Sequence, residues 1–395
     1  MSSRPISLFV NFVALVLGVL VLLVILHPIH TETVGTDPAS STQMVASASS
    51  PAASSPLVVA TTSMSTTATT TKKSPSVKAP TSIAVKVGQQ TTASVQAPVF
   101  EIARTQHPYS TPPLSFDEVN VSTRGALVNI LCMPQGGGSL QPISGSGVII
   151  DPRGVILTNA HVAQYVLLSE SPRVDLSCVI RTGSPATPKW AAEVLFIPPV
   201  WVGAHVSDIN TDHPMGTGEH DYALLRITRS LNASPLPATF PALTYDTREV
   251  VGFLNDPVLG AAYPAEFIGG FNTQNNLNAV SSVSTISQLL TFSSQTVDMV
   301  SIGGVIEAQA GSSGGAVVNA WDKLIGLITT TSEGKTTADR SLHALTLSYI
   351  NRDLKAQIDT DLASYLQGDL AAREEDFNKT WTQHLIDLYI AQISK

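Results

Sequence analysis

The sequence predicts a mainly β domain at residues 114–353, with apolar and uncharged segments before it and helices after it. Three observations predict this. Short apolar runs at 126–132, 147–150, 155–158, 174–181, 222–227, 316–318 and 324–329 alternate with turn residues, the rhythm of an all-β domain. Between two of these runs stands Asp151-Pro152-Arg153-Gly154, with Asp, Pro and Gly where a type I turn favours them, so the runs pair as a hairpin. Helical spacing is confined to the edges of the region.

Residues 6–26 are apolar and uncharged, interrupted only by Ser7, Asn11 and Gly18. About 20 such residues span a bilayer core. A cleaved signal peptide is the alternative, but its apolar core is about 7–15 residues long. The nearest Ala-x-Ala, at 46–48, also lies far downstream of the run. An uncleaved anchor is therefore the preferred reading. Arg4 precedes the span and no Lys or Arg follows until Lys72, so 1–28 reads as a short cytoplasmic end and transmembrane helix, with the rest outside the cytoplasm. Residues 29–113 are rich in Ser, Thr, Ala and Pro, with few charges and almost no aromatics. Too little apolar surface is present to offset backbone ordering, and the tract reads as a disordered stalk reaching on the order of 45 Å. A passive spacer is preferred over a receptor or glycan-bearing segment.

Structure resumes at Ser115-Phe-Asp-Glu118, where Ser and Glu have the spacing of a capping box and predict a short helix. At the other end, 354–395 reads as a helical extension. Phe377, Trp381, Leu385 and Leu388 recur at three and four residues as one apolar stripe, and Gly368 separates this helix from a shorter one before it. The stripe is expected to pack on the β domain; a partner-binding helix is the alternative.

Composition excludes one class of function. Net charge is -8 and no Lys/Arg cluster occurs, so there is nothing to neutralise a phosphate backbone, and nucleic acid is not an expected partner. Hydrophobic residues at 43% and charged ones at 13% fit a globular protein with an added apolar segment.

Acyl transfer at a peptide bond needs an activated hydroxyl, a base to take its proton and a group that holds the base in one tautomer. Three segments supply candidates. GSGVIIDPRGVILTNAHVA places His161 in a turn after a strand, HDYALLRI places Asp221 just before a strand, and AGSSGGAVV places Ser313 within Gly311-Ser312-Ser313-Gly314-Gly315. Glycines there let backbone amides approach a carbonyl without Cβ interference, so the amides of Gly311 and Ser313 are the expected oxyanion hole. Each motif alone is weak, because a lone His, a lone Asp or a Gly-Ser loop has commoner structural uses. Their joint occurrence carries the argument, and this chemistry calls for no cofactor.

With these residues the chain resembles the trypsin-like serine proteases and, among them, the bacterial HtrA or Deg type. GSGVIID, TNAHV and GSSGGAVVNAWDKLIGL resemble the family's segments around its catalytic His and Ser, in the order His, Asp, Ser. The likeness covers about 125–353 and is thin between 240 and 300, where only GAAYPAEF resembles the start of the second barrel. It implies two antiparallel β-barrels with the triad between them, His161 as base, Asp221 as orienter and Ser313 as nucleophile. The implied activity is a serine endopeptidase acting on exported or surface proteins; an inactive protease-like binding domain and a stalked adhesin are the rivals.

The chain departs from the pattern in several places. HtrA-type proteins usually carry a PDZ domain after the protease, whereas a helical pattern follows here, so peptide-gated activation is not expected. Where zymogen-activated relatives have an Asp before the nucleophile, this chain has Ser312, so activation by N-terminal cleavage is not expected either. The segment 198–220 holds His205, Asp208, Asp212, His213, Glu219 and His220, but in no familiar ligand spacing, and no metal is expected. Cys132 and Cys178 are the only cysteines. A disulfide suits an exported domain, and two buried thiols are the alternative. Glu307, six residues before Ser313, occupies the offset that forms the floor of the specificity pocket in digestive members. An acid facing into the pocket would select Lys or Arg. Pointing out to solvent, the preferred reading, it would leave the aliphatic preference of the HtrA type. Oligomeric state is not indicated.

Overall fold

The computed structural model describes residues 108–136, 140–211, 216–265, 275–292, 295–303, 307, 309–331 and 341–394. The apolar span at 6–26 and the stalk lie outside these residues. Among the described residues no helix is long and apolar enough to cross a membrane.

Helix α1 (Phe116–Ala126) begins at the expected capping box: the Glu118 amide donates to Ser115 Oγ at 3.3 Å and the Ser115 amide to Glu118 Oε2 at 3.0 Å. The first barrel follows, from β1 (Leu127–Pro134), β2 (Ile143–Asp151), β3 (Val155–Thr158), β4 (Leu176–Thr182), β5 (Thr187–Phe196) and β6 (Ala223–Ser230). Its strands close in the order β1-β2-β3-β6-β5-β4, all antiparallel, which leaves no free edge. The predicted β2–β3 hairpin forms. Gly154 has φ +87°, where a Cβ would stand 2.9 Å from Phe240, and the Arg153 amide donates to Asp151 Oδ1 at 2.8 Å. Between β3 and β4 lies α2 (Ala160–Ser169), and between β5 and β6 lie α3 (Pro199–His205) and a 3₁₀ turn at Val206–Asn210.

The second barrel comprises β8 (Pro257–Ala262), β9 (Val280–Leu290), β10 (Met299–Gly303), β11 (Ala316–Asn319), β12 (Lys323–Thr331) and β13 (Ser341–Thr346). Their order β11-β8-β9-β10-β13-β12 closes through the β11–β12 pair, and β7 (Thr244–Tyr245) adds to β12 in parallel. The expected fold of two antiparallel barrels is thus found. Cys132 and Cys178 face each other across the β1–β4 ladder and form the disulfide, 46 residues apart in sequence. By loop-closure entropy it stabilises the fold by about 4 kcal/mol.

The C-terminal helices are α4 (Leu347–Ile358), α5 (Leu362–Leu366), α6 (Leu370–Phe377) and α7 (Gln383–Ile393), with a π-helical turn at Asn378–Thr382 joining the last two. From α5 onward they return to the first barrel. Tyr365 donates to the Leu195 carbonyl at 2.9 Å, Phe196 packs edge-on against Tyr365 and Phe377, and Arg153 holds the Gly368 and Leu366 carbonyls. The packing expectation holds, but the stripe is different. Phe377 and Leu385 are buried and Leu388 is half-buried against the core, whereas Trp381 is 39% exposed, and Ile386 and Tyr389 complete the face. A π turn takes up more residues than an α turn and rotates everything after it, so a 3.6-residue count misplaces Trp381.

Two carboxyls, Glu170 at the end of α2 and Glu374 on α6, make stability depend on pH. Burial pushes Glu170 up to about 8, against the lowering effect of the Val194 amide. Burial and the neighbouring Glu193 carboxyl push Glu374 up to about 7, although it is paired with Arg226. Both hold a proton in the folded chain that the unfolded chain releases near 4.5. Their contribution is full below that value and is lost as pH rises through 7 and 8. The melting temperature is expected to fall between about pH 5 and pH 8, and Glu374→Gln, measured by calorimetry, to flatten that slope.

Candidate active site

Strand register brings His161 and Asp221 together. Thr158, the last residue of β3, pairs with Ala223, the first of β6, so the residues just after one and just before the other share the same barrel rim. His161 lies there in the first turn of α2, and Asp221 lies opposite. Asp221 Oδ2 is 2.7 Å from His161 Nδ1, and its Oδ1 accepts the His161 amide at 3.0 Å. The Asp221 backbone is held as well: its carbonyl accepts from Asn159 Nδ2 at 2.7 Å. The carboxylate is 6% exposed, while the imidazole, at 30%, stays open to an incoming molecule. Burial alone would raise the Asp221 pKa, but the His161 charge and hydrogen bonds from His161 and Thr329 outweigh it and hold the carboxyl below its ordinary range. For His161 burial disfavours the charged ring, yet the Asp221 charge and hydrogen bond win and its pKa lies above 6.5.

The loop of Ser313 precedes β11 and is tied to the first barrel. Ser146 on β2 donates its amide to the Ser313 carbonyl at 2.7 Å and its hydroxyl to the Gly311 carbonyl at 2.8 Å, and it accepts from the Tyr263 amide at 2.9 Å. The contact is so close that residue 314 has to be glycine: φ is +87°, and a Cβ would lie 1.9 Å from the Ser146 carbonyl oxygen. Ser313 Oγ donates to the Thr329 carbonyl at 3.2 Å rather than to the imidazole. The Thr329 hydroxyl in turn donates to Asp221 Oδ2 at 2.8 Å, so one residue of β12 touches both the carboxylate and the serine. Among the described residues, neither the Gly311 amide nor the Ser313 amide donates to a backbone acceptor.

Glu307 does not point into solvent. It is 0% exposed, its Oε2 accepts from Ser282 Oγ at 2.6 Å, and its carboxyl carbon lies against Gly260. The preference for an exposed residue is corrected, because β8 and β9 offer a hydroxyl and a glycine-sized space that a statistical argument does not see. Burial raises its pKa. Ser312 is buried with its hydroxyl unpartnered. In the segment 198–220, His205 bonds the Trp201 carbonyl and stacks on its ring, His220 bonds Asp353, and Asp212 and His213 lie outside the described residues.

Thr329, Ser146 and Asn159 were not singled out from sequence. Ser146 and Asn159 do stand inside the motifs GSGVIID and TNAHV, whereas nothing in the threonine run of β12 distinguishes Thr329 from its neighbours.

No curated protein matches the chain. Residues 145–327 match the family model of the trypsin-like peptidase domain, a segment that holds His161, Asp221 and Ser313 and ends just before Thr329. Two closed six-stranded barrels accompany that match, so the β domain matches a trypsin-like serine protease in both sequence and architecture.

Proposed function

We propose that the protein is an endopeptidase in which Ser313 attacks the scissile carbonyl, His161 takes and returns the proton, and Asp221 holds His161 in the required tautomer. The observation that carries this reading is the 2.7 Å contact between His161 Nδ1 and Asp221, which keeps the proton on Nδ1 and leaves Nε2 as the acceptor facing the cleft. In this reaction the Ser313 hydroxyl must leave the Thr329 carbonyl and donate to Nε2. The oxygen that becomes negative is received by the Gly311 and Ser313 amides, an interaction worth about 2.7–4 kcal/mol per donor. His161 then protonates the departing amine, and water releases the acyl group by the same route in reverse. The substrates proposed are exported or surface proteins, reached from a membrane tether at 6–26 through the stalk. An inactive binding domain is the second reading, favoured by the Ser313–Thr329 hydrogen bond. A fluorophosphonate probe decides between them, since it bonds only to a serine activated by its base: stoichiometric labelling at Ser313 supports the peptidase, and no labelling supports the binding domain.

Cleavage after aliphatic residues is the preference proposed, because the Glu307 carboxyl is directed to Ser282 and burial favours its neutral form, which attracts no cation. In a peptide-library digest both the parent and Glu307→Ala are expected to cut after Val, Ala or Leu. Cleavage after Lys or Arg that disappears in Glu307→Ala would reverse the assignment.

A further inference from the structure

The triad is divided between two bodies: His161 and Asp221 stand on the rim of the first barrel and Ser313 on the second. Catalysis therefore needs links that fix Asp221 relative to the second barrel. Thr329 supplies one. The other lies one residue before Asp221. His220 has φ +60°, a left-handed conformation that a residue with a Cβ adopts at a cost and keeps only where its surroundings impose it. Two side chains of α4 do so. The His220 amide donates to the Tyr349 hydroxyl at 2.9 Å, and His220 Nδ1 lies 2.8 Å from Asp353 Oδ1. Helix α4 itself belongs to the second barrel: it continues β13 and starts at Thr346, whose hydroxyl caps it through the Tyr349 amide while its own amide holds the Asp298 carbonyl. Asp353 is 8% exposed and also receives Gln357, so it is a fixed acceptor.

We infer that His220 is a positioning residue, which through its hydrogen bond to Asp353 sets the placement of Asp221 across the boundary between the barrels. This rests on the reading of Asp221 as the group that orients His161. The bond is charge-assisted, because Asp353 holds the His220 ring above its ordinary pKa of 6.5, while Glu219 stands 3.8 Å from its other nitrogen.

Substitutions separate the hydrogen bond from the backbone conformation. Glycine at 220 relaxes the backbone and removes the bond, whereas asparagine tolerates the same φ and carries its Nδ2 where histidine has Nδ1. Measured on the full chain, fluorophosphonate labelling of Ser313 is expected to slow by about 10- to 100-fold in His220→Gly and in Asp353→Ala, the scale of a small misplacement of a catalytic group. KM for a peptide stays unchanged, and His220→Asn restores the parental rate. The double variant is expected to be no slower than the slower single, as two partners of one interaction require. The low-field proton resonance of the His161–Asp221 hydrogen bond should move in the same variants, a readout that needs no turnover. Asp353→Ala carries the test should His220→Gly not fold. Parental labelling and an unmoved resonance in both single variants overturn the inference, as does a His220→Asn as slow as His220→Gly. Ser313→Ala keeps the two questions apart: labelling that persists there overturns the triad, and parental labelling in His220→Gly with Ser313→Ala silent overturns only the role of His220.

Discussion

Ser313→Ala is expected to lower peptide turnover by about 10⁶-fold, the loss found when a protease nucleophile is removed. Its stability should barely change. Among the described residues the hydroxyl makes a single hydrogen bond, 3.2 Å to the Thr329 carbonyl, and a bond of that kind contributes about 1 kcal/mol. The loop is held instead by backbone groups that alanine leaves in place: the Ser313 carbonyl on the Ser146 amide and the Gly314 amide on the Ile328 carbonyl. Turnover measured on a quenched peptide beside a thermal melt checks both halves. A variant as active as the parent would place the nucleophile elsewhere; an unfolded one would show that the hydroxyl has a structural role.

Asp221→Asn is expected to lower turnover by about 10⁴-fold. Three donors converge on the carboxylate, from His161 Nδ1, the His161 amide and Thr329 Oγ1. An amide has one acceptor where the carboxylate has two, so its NH₂ must face a donor or displace it, and the imidazole loses the partner that keeps its proton on Nδ1. The same change removes the charge that raises the His161 pKa against burial. In the parent, kcat/KM is expected to rise with pH through a value above 6.5, the protonated ring being unable to accept from Ser313. In the variant that limb should move to lower pH. A pH–rate profile with an unmoved limb and parental turnover would mean that another group orients His161.

What could be read from sequence was whatever is local. His161, Asp221 and Ser313 each sit in a short motif whose glycines and apolar runs describe their own surroundings, and the capping box at Ser115 is complete within four residues. The all-β class followed because alternating runs and turns are also local, and the two barrels followed from the family resemblance. The misses share a different cause. Thr329 matters because β12 passes between Ser313 and Asp221, a relation between strands and not between neighbours in sequence. Glu307 was assigned outward on the average behaviour of acids, and its burial depends on Ser282 and Gly260, distant in the chain. Trp381 was misplaced by an inserted turn whose cause no periodicity contains.

The return of the C-terminal helices to the first barrel also bears on the order in which the protein becomes complete. Phe377 and Tyr365 cover Phe196, and Tyr389 is fully enclosed, yet all three are synthesised after both barrels. A nascent chain that has already formed Ser313 and His161 therefore still exposes the apolar surface around Phe196. The surface around Phe196 is therefore covered last, when the segment beyond residue 360 has emerged and folded back.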